Sequence, residues 1–335
     1  MKVVTITGKR ECAVVNRPDP APRGDLVVVK ILVAPMCTEV HGYREGWASD
    51  SLGHEAAGEV VATDGNRKVK AGDRVVVMPQ YPCGKCALCR AGNYIHCEQN
   101  RDPLKECGCQ AGTATYAQYV LKQDWLCLKV PKGMTIEHAS MACCGLGPTF
   151  GAMQMMEVGP KDTVFITGMG AVGLGGVVNA RHRGARVIAA EGHPWRAALA
   201  RKLGACAVVD PAGKDAGAKV RKLTGGLGAD MSVETSGRPE AKALLLDGTR
   251  RKGQVALVGW GGQLEVNTIL SKGLTVRGAW HWNLKDASAL MKTIRESGPA
   301  LKRLITHTFP MTRVKEAWEL QLTGECGKIL LYPWK

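Results

Sequence analysis

The pattern of hydrophobic and polar positions changes near residue 146. Before that point, short runs rich in valine and isoleucine alternate with turns that contain proline and glycine, which is typical of a mainly β domain. The clearest predicted strands lie at residues 3–6, 26–33, 58–62 and 73–77. We therefore expect residues 1–145 to form a barrel-like sheet.

Beyond residue 146, strand-like runs alternate with helical stretches, which predicts an α/β domain with a doubly wound parallel sheet of the Rossmann type. The predicted strands of this part are residues 164–167, 186–190, 207–209, 231–234 and 254–258, and the predicted helices are 172–183, 195–203, 220–223 and 241–246. A mixed tail begins near residue 280 and ends in a strand at residues 328–331. The expected division is 1–145, 146–279 and 280–335.

Composition places the chain among globular proteins. Hydrophobic residues make up 45% and charged residues 22% of its 335 residues, and we find no apolar run of about 18 residues that would predict a membrane span. The first residues lack the basic-then-apolar pattern of a secretion signal. Thirteen cysteines without such a signal indicate metal binding and buried thiols in a reducing cytoplasm rather than a disulfide framework.

The formal net charge of +15 first suggests a nucleic-acid partner. The basic residues are scattered, however, and no basic stretch is interleaved with aromatic residues, so we interpret the charge as a basic surface that steers anionic ligands. The expected partner is a small-molecule substrate, with neither nucleic acid nor membrane.

A glycine-rich motif follows the first strand of the predicted parallel sheet. The sequence Gly168-Met-Gly170-Ala171-Val172-Gly173 matches G-x-G-x-x-G and opens a predicted helix. In a dinucleotide site these glycines allow a tight turn and a close approach of the backbone to a pyrophosphate at the helix N-terminus. A glycine-rich turn without a ligand is the alternative, and the strand–turn–helix context favours the cofactor.

Glu191 ends the next predicted strand, 18 residues after Gly173. A carboxylate there can accept hydrogen bonds from ribose hydroxyls and repels a 2′-phosphate, which favours NAD over NADP. Arg196 and His193 lie nearby in the sequence and weaken that preference.

Four cysteines, at positions 83, 86, 89 and 97, fall within 15 residues. Thiolates at this spacing can surround one tetrahedral Zn²⁺, and a site with four protein ligands is structural. The lobe at about residues 81–99 is therefore a predicted structural zinc site, with unpaired thiols or two disulfides as the alternative. Cys107 and Cys109 follow closely as spare thiols.

Further candidate ligands are dispersed along the chain. The order of the motifs around them resembles the zinc-containing medium-chain alcohol dehydrogenase family, which includes polyol and threonine dehydrogenases. The segments that carry the resemblance are Cys-Thr-Glu-Val-His at 37–41, Gly-His-Glu at 53–55, the four-cysteine lobe, Cys-Gly-Leu-Gly-Pro-Thr-Phe-Gly at 144–151, Gly-Asp-Arg-Val at 72–75 and Gly-Lys-Ile-Leu-Leu at 327–331.

The resemblance covers essentially the whole chain and implies a GroES-like catalytic domain to which residues 280–335 return. It implies two zinc ions per chain, with Cys37, His54 and Cys144 holding the catalytic one and leaving one position open. Glu55 resembles the carboxylate that the family keeps near this metal, and Glu39 is expected to orient His54. The family forms homodimers and homotetramers.

The implied reaction transfers hydride from an alcohol to NAD⁺ and yields an aldehyde or a ketone. Zinc acts as a Lewis acid, Thr38 accepts the hydroxyl proton, and His41 passes it to solvent through the cofactor ribose. The alcohol can be primary, secondary, or polyol- or cyclitol-like.

One departure concerns the spacing at Cys37. The family pattern is C-x-[ST]-[DE]-x-H, whereas Thr38 follows Cys37 directly here. One residue turns a helix by about 100°, so either Cys37 or the pair Thr38 and His41 must shift.

Two alternatives remain open. One is an NADPH-dependent, zinc-free reductase of the same superfamily, against which the ligand set and Glu191 argue. The other is a non-catalytic protein that binds zinc and nucleotide, which the missing residue after Cys37 favours.

Overall fold

A computed structural model describes residues 1–107 and 114–335, apart from the side chains of Leu104 and Cys107. The two spare thiols noted above, on Cys107 and Cys109, therefore lie outside the described part of the chain. No helix in the described ranges is both long and apolar enough to cross a membrane.

The N-terminal part is mainly β, as its hydrophobic pattern predicts. Its strands are β1 (Lys2–Gly8), β2 (Glu11–Asn16), β3 (Leu26–Pro35), β4 (Ala56–Ala62), β5 (Arg74–Val77), β6 (Tyr119–Gln123) and β7 (Cys127–Lys129). Short helices connect them: α1 (Glu39–Glu45), α2 (Ala87–Arg90), α3 (Pro103–Cys107), α4 (Ile136–Ser140) and α5 (Gly147–Met155). Strand β3 is buried on both faces, which explains its nearly continuous apolar sequence.

The central part is the predicted parallel sheet. Its strands are β8 (Thr163–Thr167), β9 (Arg186–Ala190), β10 (Ala207–Val209), β11 (Ala229–Glu234), β12 (Thr249–Leu257) and β13 (Thr275–Gly278). The helices between them are α6 (Ala171–His182), α7 (Pro194–Leu203), α8 (Ala216–Leu223), α9 (Pro239–Gly248) and α10 (Val266–Lys272). The order β10-β9-β8-β11-β12-β13 is that of a dinucleotide-binding fold, whose ligands bind beyond the carboxyl ends of the strands.

The C-terminal segment contains α11 (Ala287–Glu296), α12 (Gly298–Leu304), β14 (Ile305–Pro310), α13 (Val314–Thr323) and β15 (Lys328–Tyr332). Strand β15 pairs antiparallel with the end of β3, with Leu330 opposite Pro35. The N-terminal part and the C-terminal segment thus share one seven-stranded sheet, in the order β14-β15-β3-β4-β5-β7 with β6 paired to β3. This pairing brings Lys328 beside the residues that follow β3.

The largest hydrophobic core runs from the four-cysteine lobe through α5 to the face of the parallel sheet. Helix α6 lies closely on the turn before α5, because a Cβ atom at Gly175 would be 1.8 Å from the carbonyl oxygen of Gly145. Asn179 on the same helix donates hydrogen bonds to the carbonyl of Leu146 and the hydroxyl of Thr149, at 2.9 and 2.8 Å. The glycine-motif helix and the Cys144 segment therefore form one packed unit.

Candidate active site

Three segments that are distant in sequence bring four metal-binding side chains together. Cys37 follows β3, His54 and Glu55 precede β4, and Cys144 lies in the turn before α5. One ligand atom from each of these residues lies within 4.8 Å of the others. The structure thus gathers the predicted ligands Cys37, His54 and Cys144, with Glu55 as a fourth neighbour.

The orientation of His54 is set by a carboxylate on α1. The Nδ1 of His54 lies 2.6 Å from Glu39 Oε1, and its Nε2 lies 3.2 Å from Cys144 Sγ. The second oxygen of Glu39 accepts a hydrogen bond of 3.0 Å from the Tyr116 hydroxyl. Because Nδ1–H donates to Glu39, Nε2 is the nitrogen presented to the cluster. Tyr116 is a supporting residue that the sequence analysis missed.

The two thiols of the cluster differ in their proton affinity. A hydrogen bond from Cys144, together with the positive charges of Lys328 and His54, outweighs burial and holds the pKa of Cys37 well below its usual value. The same hydrogen bond and burial raise the pKa of Cys144. Since a thiolate is the form that binds metal, this Cys₂His donor set fits a catalytic zinc site.

Glu55 is held in a buried ion pair. Its Oε1 lies 2.6 Å from Lys328 Nζ, and both side chains have zero solvent exposure. The other oxygen accepts a hydrogen bond of 3.1 Å from the backbone N–H of Cys144. Burial lowers the pKa of Lys328, but the carboxylate of Glu55 outweighs that effect and raises it above its usual value. Lys328 is a further site residue that sequence reasoning missed, although it lies in the quoted 327–331 motif.

Thr38 and His41 stand apart from these contacts. Thr38 is the residue before α1, and its side chain makes no capping hydrogen bond. His41 lies one turn further on α1, and both side chains are exposed. Cys37 joins the other ligands despite the changed spacing at this point.

The four-cysteine lobe forms a second cluster. The sulfur atoms of Cys83, Cys86, Cys89 and Cys97 lie within 4.8 Å of one another. Backbone N–H groups of Cys86 and Cys89 point at the sulfurs of Cys83 and Cys86, at 3.3 and 3.5 Å. A hydrogen bond from the backbone N–H of Lys85 lowers the pKa of the Cys83 thiol to about 6. All eleven cysteines whose side chains are described are free thiols, so this lobe suits a four-sulfur metal site rather than disulfides.

The glycine motif joins β8 to α6, as predicted. A Cβ atom at Gly173 would be 1.8 Å from the carbonyl oxygen of Gly168, whereas one at Gly170 would meet nothing within 4 Å. Gly173 thus permits close packing, and Gly170 leaves open space at the N-terminus of α6. Gly170, Ala171 and Val172 open this helix, which has no side-chain cap, so its first N–H groups remain available for a phosphate.

Glu191 follows β9 and is fixed by the backbone on two sides. Its Oε2 accepts a hydrogen bond of 2.9 Å from Met169 N, and its Oε1 one of 2.8 Å from His193 N. Arg196 lies on α7, two residues into the helix, and its Nε atom is buried without a partner among the described residues. The predicted carboxylate therefore stands directly beside the glycine motif.

Two family models match the chain. The model described as an alcohol dehydrogenase GroES-like domain matches residues 23–132, and the one described as a zinc-binding dehydrogenase matches residues 171–296.

Relatives with assigned names match the chain almost from end to end. The L-threonine 3-dehydrogenase of Caldanaerobacter subterraneus subsp. tengcongensis is 31% identical, over 97% of this chain and 96% of its own length. The sorbitol dehydrogenase of Bacillus subtilis is 29% identical, over 99% and 97%. Among solved structures, the alcohol dehydrogenase TADH from Thermus sp. ATN1 is similar in fold, with a TM-score of 0.89, 24% identity and 99% of both chains covered.

Fold and site together define a zinc-dependent oxidoreductase that acts on CH–OH groups and uses a nicotinamide cofactor. The chain belongs to the zinc-containing medium-chain dehydrogenase family.

Proposed function

We propose that this protein catalyses the oxidation of an alcohol by NAD⁺, which yields an aldehyde or a ketone, NADH and a proton. The substrate is a primary, secondary, or polyol- or cyclitol-like alcohol. The observation that carries the proposal is the convergence of Cys37, His54 and Cys144 within 4.8 Å. The segment that carries Cys144 packs against the helix of the glycine motif.

In this proposal Cys37, His54 and Cys144 hold the catalytic zinc. Two thiolates and an imidazole are the ligands of zinc in dehydrogenases that leave one position for the substrate. Bound there, Zn²⁺ supplies Lewis acidity that eases loss of the proton from an alcohol hydroxyl. Glu39 keeps His54 in the ligating orientation through its hydrogen bond of 2.6 Å.

Burial raises the pKa of Glu55 to about 8, and in this proposal the ammonium of Lys328 keeps Glu55 negatively charged beside the metal ligands. Lys328 engages one of its oxygens and the backbone of Cys144 engages the other. We propose that this double restraint keeps the carboxylate near the ligands while leaving the coordination position for substrate.

The proposed proton path runs from the substrate hydroxyl to Thr38 and then to His41. Both side chains are exposed, so His41 can exchange the proton with solvent. A nicotinamide bound beside this site would supply the redox chemistry by accepting hydride from the substrate carbon.

The remaining residues bind the cofactor. The pyrophosphate binds at the glycine motif, which consists of Gly168, Gly170, Ala171, Val172 and Gly173. Glu191 binds the adenosine ribose. We propose NAD over NADP because the fixed carboxylate of Glu191 repels a 2′-phosphate, with Arg196 as the neighbouring cation that limits this preference.

The proposal includes two zinc ions per chain, the second in the four-cysteine lobe, and a homodimer or homotetramer in the cytoplasm. It divides the chain into a catalytic domain of residues 1–145, a dinucleotide-binding domain of residues 146–279, and a return to the catalytic domain over residues 280–335. The sharing of one sheet between β3 and β15 supports this division.

A coenzyme-reduction screen tests the proposal. The zinc-loaded protein is assayed with NAD⁺ and NADP⁺ against primary alcohols, secondary alcohols, polyols, amino alcohols and cyclitols. We expect NADH formation that chelation abolishes and added zinc restores. Reduction of an activated C=C bond by NADPH without zinc would support the zinc-free reductase, and cofactor binding without turnover would support the non-catalytic alternative.

A further inference from the structure

A short strap of the chain, residues 280–284, lies between the four-cysteine lobe and the Cys144 segment. The side chain of Asn283 donates hydrogen bonds to the Ala91 carbonyl and to Asn93 Oδ1, at 3.0 and 2.9 Å. On the other side, Trp282 Nε1 donates to the Ala142 carbonyl at 2.8 Å. The strap is thus fixed both to the four-cysteine lobe and to the segment just before Cys144.

The strap and the lobe each bury a polar ring at this junction. His281 is 6% exposed and Tyr94 is fully buried, and their ring centroids lie 6.3 Å apart at an interplanar angle of 74°. Among the described residues, neither ring nitrogen of His281 nor the hydroxyl of Tyr94 has a hydrogen-bond partner. Leaving a buried donor or acceptor unpaired is costly, so these three atoms on two neighbouring rings point to a missing polar partner.

Both rings lie within electrostatic reach of the ligand cluster. The charges of His54 and Cys37 act on the pKa of His281, and those of Cys143 and Cys144 act on the pKa of Tyr94. The backbone of His281 also lies against α5, where a Cβ atom at Gly151 would be 2.4 Å from its carbonyl oxygen. The strap thus holds His281 against α5 and beside the segment that carries Cys144.

We propose that Tyr94 and His281 form a polar subsite that binds a second, uncharged hydroxyl group of the alcohol substrate, which makes vicinal diols and polyols the preferred class. This inference rests on the proposed function and narrows its substrate.

The chemistry of the two rings selects a neutral group. A neutral imidazole offers one donor and one acceptor, and a phenol offers both, so a hydroxyl can satisfy them together. Burial lowers the pKa of His281 to about 3, so the ring carries no charge to pair with a carboxylate. Lys328, the buried cation beside the cluster, is already paired with Glu55. Within the described ranges, these two rings and Lys328 therefore offer no free charge that would compensate an amino acid substrate.

The test compares 2,3-butanediol with 2-butanol, which has the same carbon skeleton and one hydroxyl fewer. The ratio of their kcat/KM values is measured for the zinc-loaded wild type and for Tyr94→Phe, His281→Leu and His281→Asn. We expect Tyr94→Phe and His281→Leu each to lower the diol preference roughly five- to tenfold, with partial recovery in His281→Asn. Tyr119→Phe is the matched control, because it removes the hydroxyl of a β6 tyrosine whose ring packs against Trp334; it should keep the ratio.

Several outcomes would overturn the inference. Equal effects of the variants on both alcohols, or a fall in melting temperature without a change in the ratio, would mean that these polar atoms pair with buried water and serve only the fold. A preference of the wild type for L-threonine over the diol would also overturn it, while leaving alcohol oxidation by NAD⁺ intact.

Ligand-induced thermal stabilisation separates this inference from the proposed function. The melting temperature of wild type and Tyr94→Phe is measured with zinc, NAD⁺ and 2,3-butanediol. A shift that depends on Tyr94 without any turnover would contradict the proposed function alone. Turnover with no dependence on Tyr94 in either assay would contradict the subsite alone.

Discussion

The carboxylate of Glu55 and the ammonium of Lys328 meet at 2.6 Å, with both side chains fully buried. They lie 273 residues apart in sequence and are joined because β15 pairs with β3. Breaking a buried pair by removing one partner leaves an unpaired charge, which is far more destabilising than removing both.

Lys328→Met should therefore lower the free energy of unfolding by about 3–5 kcal/mol. The double variant Glu55→Gln/Lys328→Met should recover a large part of that loss, because the amide carries no charge. Denaturant unfolding of the zinc-free proteins measures both values. A double variant as unstable as the single one would argue against the ion pair as the cause.

Glu39→Gln should weaken the catalytic zinc site about 10- to 100-fold, because a partner of a ligating imidazole sets its orientation and basicity. Competition with a chelator measures the affinity, and the zinc of the four-cysteine lobe is the internal standard. Tyr116→Phe, which removes only the hydroxyl bonded to Glu39, should have a smaller effect in the same direction. Equal loss from both zinc sites would indicate general unfolding instead.

Gly170→Ala and Gly173→Ala should separate cofactor binding from folding. An added methyl at Gly170 has open space, so this variant should keep its melting temperature but bind NADH more weakly. At Gly173 the methyl would lie 1.8 Å from the Gly168 carbonyl oxygen, so we expect destabilisation of at least about 1–3 kcal/mol. Thermal unfolding and NADH fluorescence titration measure the two effects. Unchanged NADH affinity in Gly170→Ala would place the pyrophosphate elsewhere.

Glu191→Gln should raise the ratio of kcat/KM with NADP⁺ to that with NAD⁺ at least about tenfold, because the repulsion of the 2′-phosphate is removed. Glu240→Gln removes the same charge at an exposed position on α9 and should leave the ratio unchanged. Should both variants shift the ratio alike, overall charge rather than Glu191 determines the preference.

The sequence alone predicted those features whose signal is local. Hydrophobic periodicity located strands β8 to β11 closely, whereas β12 begins at Thr249, before the predicted start at residue 254. The spacing of the four cysteines already indicated a shared site. Helix α8, predicted only at residues 220–223, begins earlier at Ala216, because its small residues Ala216 and Gly217 carry little amphipathic signal.

Features that depend on tertiary contacts could not be read from local patterns. Lys328 lay within a recognised motif, but its pairing with Glu55 requires the return of β15 to β3. The approach of His281 to Tyr94 likewise depends on hydrogen bonds between the strap and the lobe. A single residue in a strap or a turn belongs to no hydrophobic repeat, so the sequence pattern cannot predict its contact.

The zinc content of Cys144→Ser tests the central claim most directly. Metal analysis of the purified variant should find one zinc per chain where the wild type has two, together with loss of alcohol-dependent NAD⁺ reduction and an intact four-cysteine site. Two zinc ions per chain and full activity in Cys144→Ser would contradict the assignment of Cys37, His54 and Cys144 as the catalytic zinc ligands.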